Sequence, residues 1–125
     1  MQNPNRRLVV LVEDDQSVRK ALTRLLSLAG MPPVTYASAE DLLADRGARG
    51  AACWILDVQL PGLTGFELHE HLLKIGTSAP VIFISAFDAP ETRERASRVG
   101  ALHFLAKPFS GRQLVDIVRQ VIDAY

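Results

Sequence analysis

The sequence predicts an α/β protein in which five strands and five helices alternate around one parallel sheet. Three observations support this fold class. Short apolar runs alternate with amphipathic stretches from Leu8 onward, the runs are apolar along their whole length, and glycine ends several of the amphipathic stretches. Continuous apolar strands joined by helices are typical of a parallel sheet that is buried on both faces.

Each predicted strand is a short and mainly apolar run. The first is uninterrupted, the second follows the Pro32-Pro33 pair, and the third is followed directly by Asp57. The fourth ends in Ser85 and the fifth comes directly before Lys107. The strands are predicted at residues 8–12, 34–37, 51–56, 81–85 and 102–106.

Helices are predicted from a capping residue, an apolar stripe and a terminating glycine. The first helix begins at Gln16 and stops at Gly30, with apolar residues at helical spacing between them. The second begins at Ser38, which forms a capping-box pattern with Asp41, and ends near Gly47.

The other three helices follow the same logic. Thr64 with Glu67 begins the third helix, which ends at Gly76, and Ser110 with Gln113 begins the fifth. The fourth helix, at residues 88–99, is rich in arginine and has a weak apolar stripe. We therefore expect it to be the least firmly packed helix.

Composition limits the possible functions. The chain is long enough for one core, so residues 1–125 are predicted to form a single domain. Its 14 basic and 14 acidic residues leave no net charge, which argues against direct nucleic-acid or membrane contact. The single cysteine, Cys53, cannot form an internal disulfide, and no signal peptide or long apolar span is present. A cytoplasmic protein is predicted.

Four groups of polar side chains lie at the ends of predicted strands. They are the acidic run 13–15, Asp57, Ser85 and Lys107. Carboxyl ends of parallel strands meet at one edge of the sheet, so these groups are expected to lie close together. Crowded carboxylates repel each other unless a cation intervenes, and Mg²⁺ suits oxygen ligands. A carboxylate nucleophile, a divalent metal, a hydroxyl and an ammonium are what aspartyl phosphorylation requires, with Asp57 as the acceptor.

Each group also has an ordinary structural explanation. An acidic run after a strand is often a solvated loop, and Asp14 or Asp15 could cap the following helix. Ser85 could cap the next helix, and Lys107-Pro108 could be a surface loop. The phosphorylation hypothesis depends on the four groups occurring together.

Five stretches of the chain carry a family signature. They are VEDD (12–15), DVQLPGLTG (57–65), ISA (84–86), GA (100–101) and FLAKPF (104–109). Together they resemble the receiver domain of two-component response regulators, over essentially the whole chain. The resemblance implies a flavodoxin-like (βα)5 doubly wound sheet with strand order 2-1-3-4-5. It also implies that Asp57 takes a phosphoryl group from the phosphohistidine of a histidine kinase or phosphotransfer protein, in a Mg²⁺-dependent reaction. No catalysis is implied beyond this self-catalysed transfer and autodephosphorylation.

The resemblance also assigns metal ligands. Asp14 would bind Mg²⁺ directly, Glu13 would bind it through water, and Asp57 would be a further ligand. The third protein ligand would be the backbone carbonyl of Gln59. Asp15 would lie just outside the site, although three consecutive acids leave this register open by one position.

A switch follows from the same resemblance. Lys107 would bind the phosphoryl group, with a cis peptide at Pro108, and phosphate would draw the Ser85 hydroxyl inward so that Phe104 fills the vacated space. The surface of the fourth helix, fifth strand and fifth helix would then favour a partner, including a second copy of the chain. Phe87 is expected to shield the phosphorus and slow autodephosphorylation. The sequence looks most like receivers joined to LuxR-type DNA-binding domains, so any DNA contact would belong to another domain.

Three alternatives remain. A haloacid-dehalogenase-type phosphatase uses similar residues, but with the nucleophile on the first strand and a second Asp where Gln59 stands here; steady phosphate release would favour it. A flavin-binding module would place a phosphate where the acidic run repels one, and a yellow protein would revive it. A pseudo-receiver would never take phosphate and would act only as an interaction surface.

Overall fold

The computed structural model describes residues 8–124, and within them five strands alternate with five helices. A short 3₁₀ helix at Arg46–Gly50 interrupts this alternation. The strands are β1 (Val9–Val12), β2 (Pro33–Tyr36), β3 (Cys53–Asp57), β4 (Val81–Ser85) and β5 (His103–Ala106). The helices are α1 (Gln16–Leu28), α2 (Ala39–Ala44), α3 (Gly65–Lys74), α4 (Pro90–Arg98) and α5 (Gly111–Asp123).

The strands form one parallel sheet in the order β2-β1-β3-β4-β5, which confirms the predicted fold class and strand order. In the register, Val12 pairs with Leu56, Asp57 pairs with Ile84, and Ser85 pairs with Ala106. The carboxyl ends of β1, β3, β4 and β5 therefore lie side by side along one edge of the sheet.

The sheet is buried on both faces, which explains why its strands are apolar without alternation. Alternate residues of β3 pack on opposite sides, with Trp54 in one apolar cluster and Ile55 in the other. The first cluster includes Phe66 of α3 and the second includes Leu114 of α5. Cys53 is a fully buried free thiol in the second cluster, as predicted.

Side-chain caps begin four of the helices, because the first backbone N–H groups of a helix have no partner within it. Thr64 and Glu67 form a complete capping box at α3. Ser38 accepts a hydrogen bond from the Asp41 backbone at 3.1 Å, and Ser110 accepts one at α5. Asp15 caps α1 by accepting from the Val18 backbone at 3.1 Å.

Several predicted boundaries were wrong by one or a few residues. Asp57 is the last residue of β3 and not the first residue after it. The second helix ends at Ala44, because the chain turns into the 3₁₀ helix before Gly47. The fourth helix begins at Pro90, and its N-cap residue, Ala89, has no side-chain oxygen to offer. None of the helices formed by residues 8–124 combines the length and apolar character needed to cross a lipid bilayer.

Candidate functional site

Three carboxylates converge at the carboxyl edge of the sheet. Glu13 directly follows β1 and is fully buried, whereas its neighbour Asp14 is exposed. Asp57 ends β3 with only 2% of its surface exposed. Each of the three residues offers an oxygen atom, and these atoms lie within 4.8 Å of one another. The expected acidic cluster is therefore present.

Lys107 supplies the positive charge of the site. Its backbone N–H donates to the Ser85 carbonyl at 2.7 Å, which continues the β4–β5 ladder by one residue. Its Nζ donates to Glu13 Oε1 at 2.6 Å and to Asp57 Oδ2 at 2.8 Å. One ammonium thus bridges two buried carboxylates. The Lys107-Pro108 peptide bond is cis, as the resemblance implied.

For Glu13 and for Lys107, burial and the hydrogen bonds of the site shift the pKa in opposite directions. Burial raises the pKa of Glu13 to about 7, and the neighbouring Asp57 carboxylate acts in the same direction, while the bonds from Lys107 and the Asp15 backbone oppose the shift. Burial disfavours the charged form of Lys107, but its hydrogen bonds to Asp57 and Glu13 outweigh this effect and raise its pKa. The ammonium is therefore firmly protonated between the two carboxylates.

Arg19 of α1 holds the acidic loop in place, a role that was not predicted from the sequence. Its Nη1 donates to the Glu13 carbonyl at 2.7 Å and to the Asp14 carbonyl at 3.3 Å. The Asp15 backbone N–H donates to Glu13 Oε2 at 3.0 Å, while the Asp15 carboxylate caps α1. The sequence does place an arginine one helical turn after the acidic run, and this spacing could have indicated the contact. The loop presents Glu13 and Asp14, and Asp15 serves the helix.

Gln59 connects the end of β3 to the end of β4. Its backbone N–H donates to Asp57 Oδ1 at 2.9 Å. Its side-chain oxygen accepts from the Ser85 hydroxyl at 2.9 Å and from the Ala86 backbone N–H at 3.0 Å. From the sequence, the backbone carbonyl of Gln59 was expected to bind the metal, and the contacts of its side chain with Ser85 and Ala86 were not predicted.

The two aromatic residues singled out from the sequence lie differently. Phe104 on β5 is half-buried, packs against the first apolar cluster and borders a cavity of about 270 Å³. Phe87 is 64% exposed, and its backbone N–H donates to the Ser85 hydroxyl at 3.0 Å. The switch role of Phe104 and the shielding role of Phe87 stay predictions.

The loop after Asp57 passes very close to the acceptor strand. A Cβ on Gly65 would lie 2.3 Å from the Asp57 carbonyl oxygen, so only glycine fits at the start of α3. Farther along the same loop, the Leu63 backbone N–H donates to Glu40 Oε2 of α2 at 3.0 Å. The chain on the carboxyl side of Asp57 is thus held by both α2 and β3.

The donor set suits a hard divalent cation. Three carboxylates that offer oxygens within 4.8 Å of one another match the ligand preference of Mg²⁺, which binds few protein carboxylates and keeps several waters. Glu13, Asp14 and Asp57 are the residues that could hold it. Within residues 8–124, no histidine takes part in this cluster.

The sequence matches the family described as "Response regulator receiver domain" over residues 9–119. The match covers most of the chain and every residue of the site just described. The chain therefore belongs to the response regulator receiver domain family, and it is a receiver domain of two-component signal transduction.

Individual relatives agree with this family. Nodulation protein W of Bradyrhizobium diazoefficiens is 39% identical over 112 residues, which are 89% of this chain and 49% of that protein. The solved receiver protein from Pseudoalteromonas atlantica is 32% identical, with a TM-score of 0.86 over 94% of this chain and 98% of that one. The solved response regulator StyR is 39% identical, with a TM-score of 0.83 over 94% and 59% of the two chains. This chain spans about half the length of the curated relatives it matches.

Proposed function

We propose that this receiver accepts a phosphoryl group on Asp57. The observation that carries the proposal is the environment of this side chain. Asp57 is almost fully buried at the end of β3, with Lys107 Nζ 2.8 Å from Oδ2 and two further carboxylates in reach of a shared cation. A buried carboxylate with a fixed ammonium beside it is suited to attack an electrophile whose charge is then neutralised.

The reaction is a transfer between two proteins. A carboxylate oxygen of Asp57 attacks the phosphorus of a phosphohistidine, a P–O bond forms, the P–N bond breaks, and the imidazole nitrogen keeps the electron pair. Lys107 and the Ser85 hydroxyl then bind phosphoryl oxygens by charge-assisted hydrogen bonds. A histidine kinase or a phosphotransfer protein is the expected donor.

Mg²⁺ is the proposed cofactor, with Glu13, Asp14, Asp57 and the Gln59 backbone carbonyl as its protein ligands. When bound, the ion supplies positive charge that neutralises the phosphoryl oxygens during transfer. Arg19 supports this role by fixing the carbonyls of Glu13 and Asp14, so the loop that offers the carboxylates is ordered in advance.

Phosphorylation would be read out through Ser85 and Phe104 on the α4-β5-α5 face, which would bind an output domain or a second copy of the chain. We place the protein in the cytoplasm, where a phosphohistidine donor would be available. An output domain would carry any DNA contact, and the LuxR-type likeness stays a prediction because the family match concerns the receiver alone.

The family match decides against the phosphatase and flavin-binding alternatives, since neither is a receiver domain. The pseudo-receiver alternative is tested by a phosphorylation experiment. The purified chain is incubated with acetyl phosphate and Mg²⁺, and its intact mass is measured. We expect a gain of one phosphoryl group, which EDTA abolishes.

Two variants complete this experiment. Asp57→Asn removes the acceptor and should abolish the mass gain. Asp116→Asn makes the same chemical change on the exposed surface of α5 and should leave the gain intact. Labelling that persists in Asp57→Asn, or its absence in the wild-type protein, would contradict the proposal.

A further inference from the structure

Two hydrogen-bond donors at the end of β4 converge on a single oxygen atom. The Ser85 hydroxyl and the Ala86 backbone N–H both reach Gln59 Oε1, at 2.9 and 3.0 Å. A backbone N–H can only donate, so the amide oxygen of Gln59, and not its nitrogen, faces this point. Ser85 is fully buried. The two donors form a small pocket for an oxygen atom, and the glutamine side chain fills it.

The pocket lies beside the acceptor. Gln59 contacts both the acceptor and the pocket, because its backbone N–H donates to Asp57 Oδ1 at 2.9 Å while its side chain reaches the pocket. Lys107 contacts the other oxygen of Asp57. A phosphoryl group on Asp57 would carry three oxygens, with Lys107 as a donor on one side and the Ser85–Ala86 pocket on the other.

We infer that Gln59 is an internal placeholder for a phosphoryl oxygen. Its amide oxygen occupies the Ser85–Ala86 pocket until a phosphoryl group on Asp57 displaces it. This inference rests on the proposed function, since it needs an anion on Asp57. It makes Gln59 a positioning residue whose amide oxygen competes with the phosphoryl group for the Ser85 hydroxyl and the Ala86 backbone N–H.

The exchange has a definite direction. The Ser85 hydroxyl has one proton, which it can give to Gln59 Oε1 or to the Phe87 carbonyl, both 2.9 Å away. A charged phosphoryl oxygen is a stronger acceptor than either neutral oxygen, so the anion displaces the amide. Because the anion must first break the two hydrogen bonds to Gln59, its net affinity for the site is reduced. Removing the amide oxygen therefore strengthens anion binding.

The test measures the affinity for beryllofluoride, a phosphoryl analogue, in the presence of Mg²⁺ by isothermal titration calorimetry. The variants are Gln59→Met, which keeps the length of the side chain without an acceptor, and Gln59→Asn, which keeps the amide but shortens its reach. Both should bind beryllofluoride about tenfold more tightly than wild type, the effect of about one net hydrogen bond. Gln113→Met makes the same change on the exposed first turn of α5 and should match the wild type.

A second measurement needs no variant. In a ¹⁵N–¹H spectrum of the wild-type protein, the side-chain NH₂ signals of Gln59 should move toward those of an exposed glutamine such as Gln120 when beryllofluoride saturates the site. A Gln59 that merely supports the loop would keep its signals.

The outcomes separate the two proposals. Tight binding by wild type with unchanged affinity in both Gln59 variants, or with unmoved Gln59 signals, overturns the placeholder and leaves the proposed function standing. Binding by none of the proteins overturns both. Tighter binding by both variants together with moved signals supports the inference.

Discussion

The guanidinium carbon of Arg93 lies 4.9 Å from the centre of the Phe104 ring. A second arginine of α4 makes a similar contact, with Arg95 4.5 Å from the Phe66 ring centre. Ala96 is the only residue of α4 that is buried. Cation–π contacts thus attach this helix to the domain where other helices use an apolar stripe.

The attachment of α4 should weaken when these arginines are replaced. Arg93→Gln and Arg95→Gln are each expected to lower the free energy of unfolding by about 0.5–1 kcal/mol, and together they should speed amide exchange in α4. Urea titration and hydrogen exchange measure the two effects. Arg98→Gln is the control, because Arg98 is paired with Glu94 on the same helix. Equal exchange rates in the double variant and in Arg98→Gln would contradict this account of α4.

Gly65 should tolerate no side chain. In Gly65→Ala the new Cβ would lie 2.3 Å from the carbonyl oxygen and 2.9 Å from the carbonyl carbon of Asp57, and backbone atoms cannot rotate away. We expect a loss of about 1–3 kcal/mol in thermal or urea unfolding, together with slower phosphorylation.

Gly111→Ala is the matched control for Gly65→Ala. Its Cβ would lie 2.8 Å from Leu25 Cδ2, the far end of a flexible side chain. Leu25 can turn aside, and alanine favours the helix that begins there, so the stability change should stay below about 1 kcal/mol. Similar losses in the two variants would show that the approach to Asp57 is not the cause.

His69 should make the protein less stable in mild acid. It is 6% exposed on α3, its ring meets Phe83 edge-on at 5.8 Å, and burial lowers its pKa from 6.5. Below pH 6.5 the unfolded chain therefore binds a proton before the folded one does. The contribution of His69 to the free energy of unfolding is therefore fully present above pH 6.5. It decreases as the pH drops below that value, by at most about 1.4 kcal/mol per pH unit.

Urea titrations between pH 7.5 and 5 measure this effect as a difference between proteins. His69→Leu should lose stability less steeply with acid than the wild type. His71→Gln changes an exposed histidine on the same helix and should keep the wild-type slope. The assignment to His69 is wrong if all three slopes coincide.

Cys53 should react with thiol reagents only after the chain unfolds. The thiol is fully buried in the second apolar cluster, and burial raises its pKa to about 12. Since the thiolate is the reactive form, labelling by DTNB should be negligible in buffer and should rise with the urea transition seen by circular dichroism. Rapid labelling of the folded protein would show local opening of β3.

The main part of the fold follows from local properties of the sequence. Uninterrupted apolar strands predict a parallel sheet, and the strand-end rule predicts that Glu13, Asp57 and Lys107 meet, whereas the strand order followed from the resemblance to receivers. The attachment of α4 was not predictable, because it depends on which aromatic ring lies under each arginine. The contacts of the Gln59 side chain were not predicted for the same reason, since its two partners lie 26 and 27 residues away along the chain.

The ammonium between Glu13 and Asp57 joins positions that are 94 and 50 residues from it along the chain. Glu13 directly follows β1, Asp57 ends β3 and Lys107 directly follows β5, so the three groups meet only where these strands lie in one sheet. Charge neutralisation at Asp57 is consequently a property of the assembled sheet, and detachment of β5 from β4 would take the ammonium away from both carboxylates.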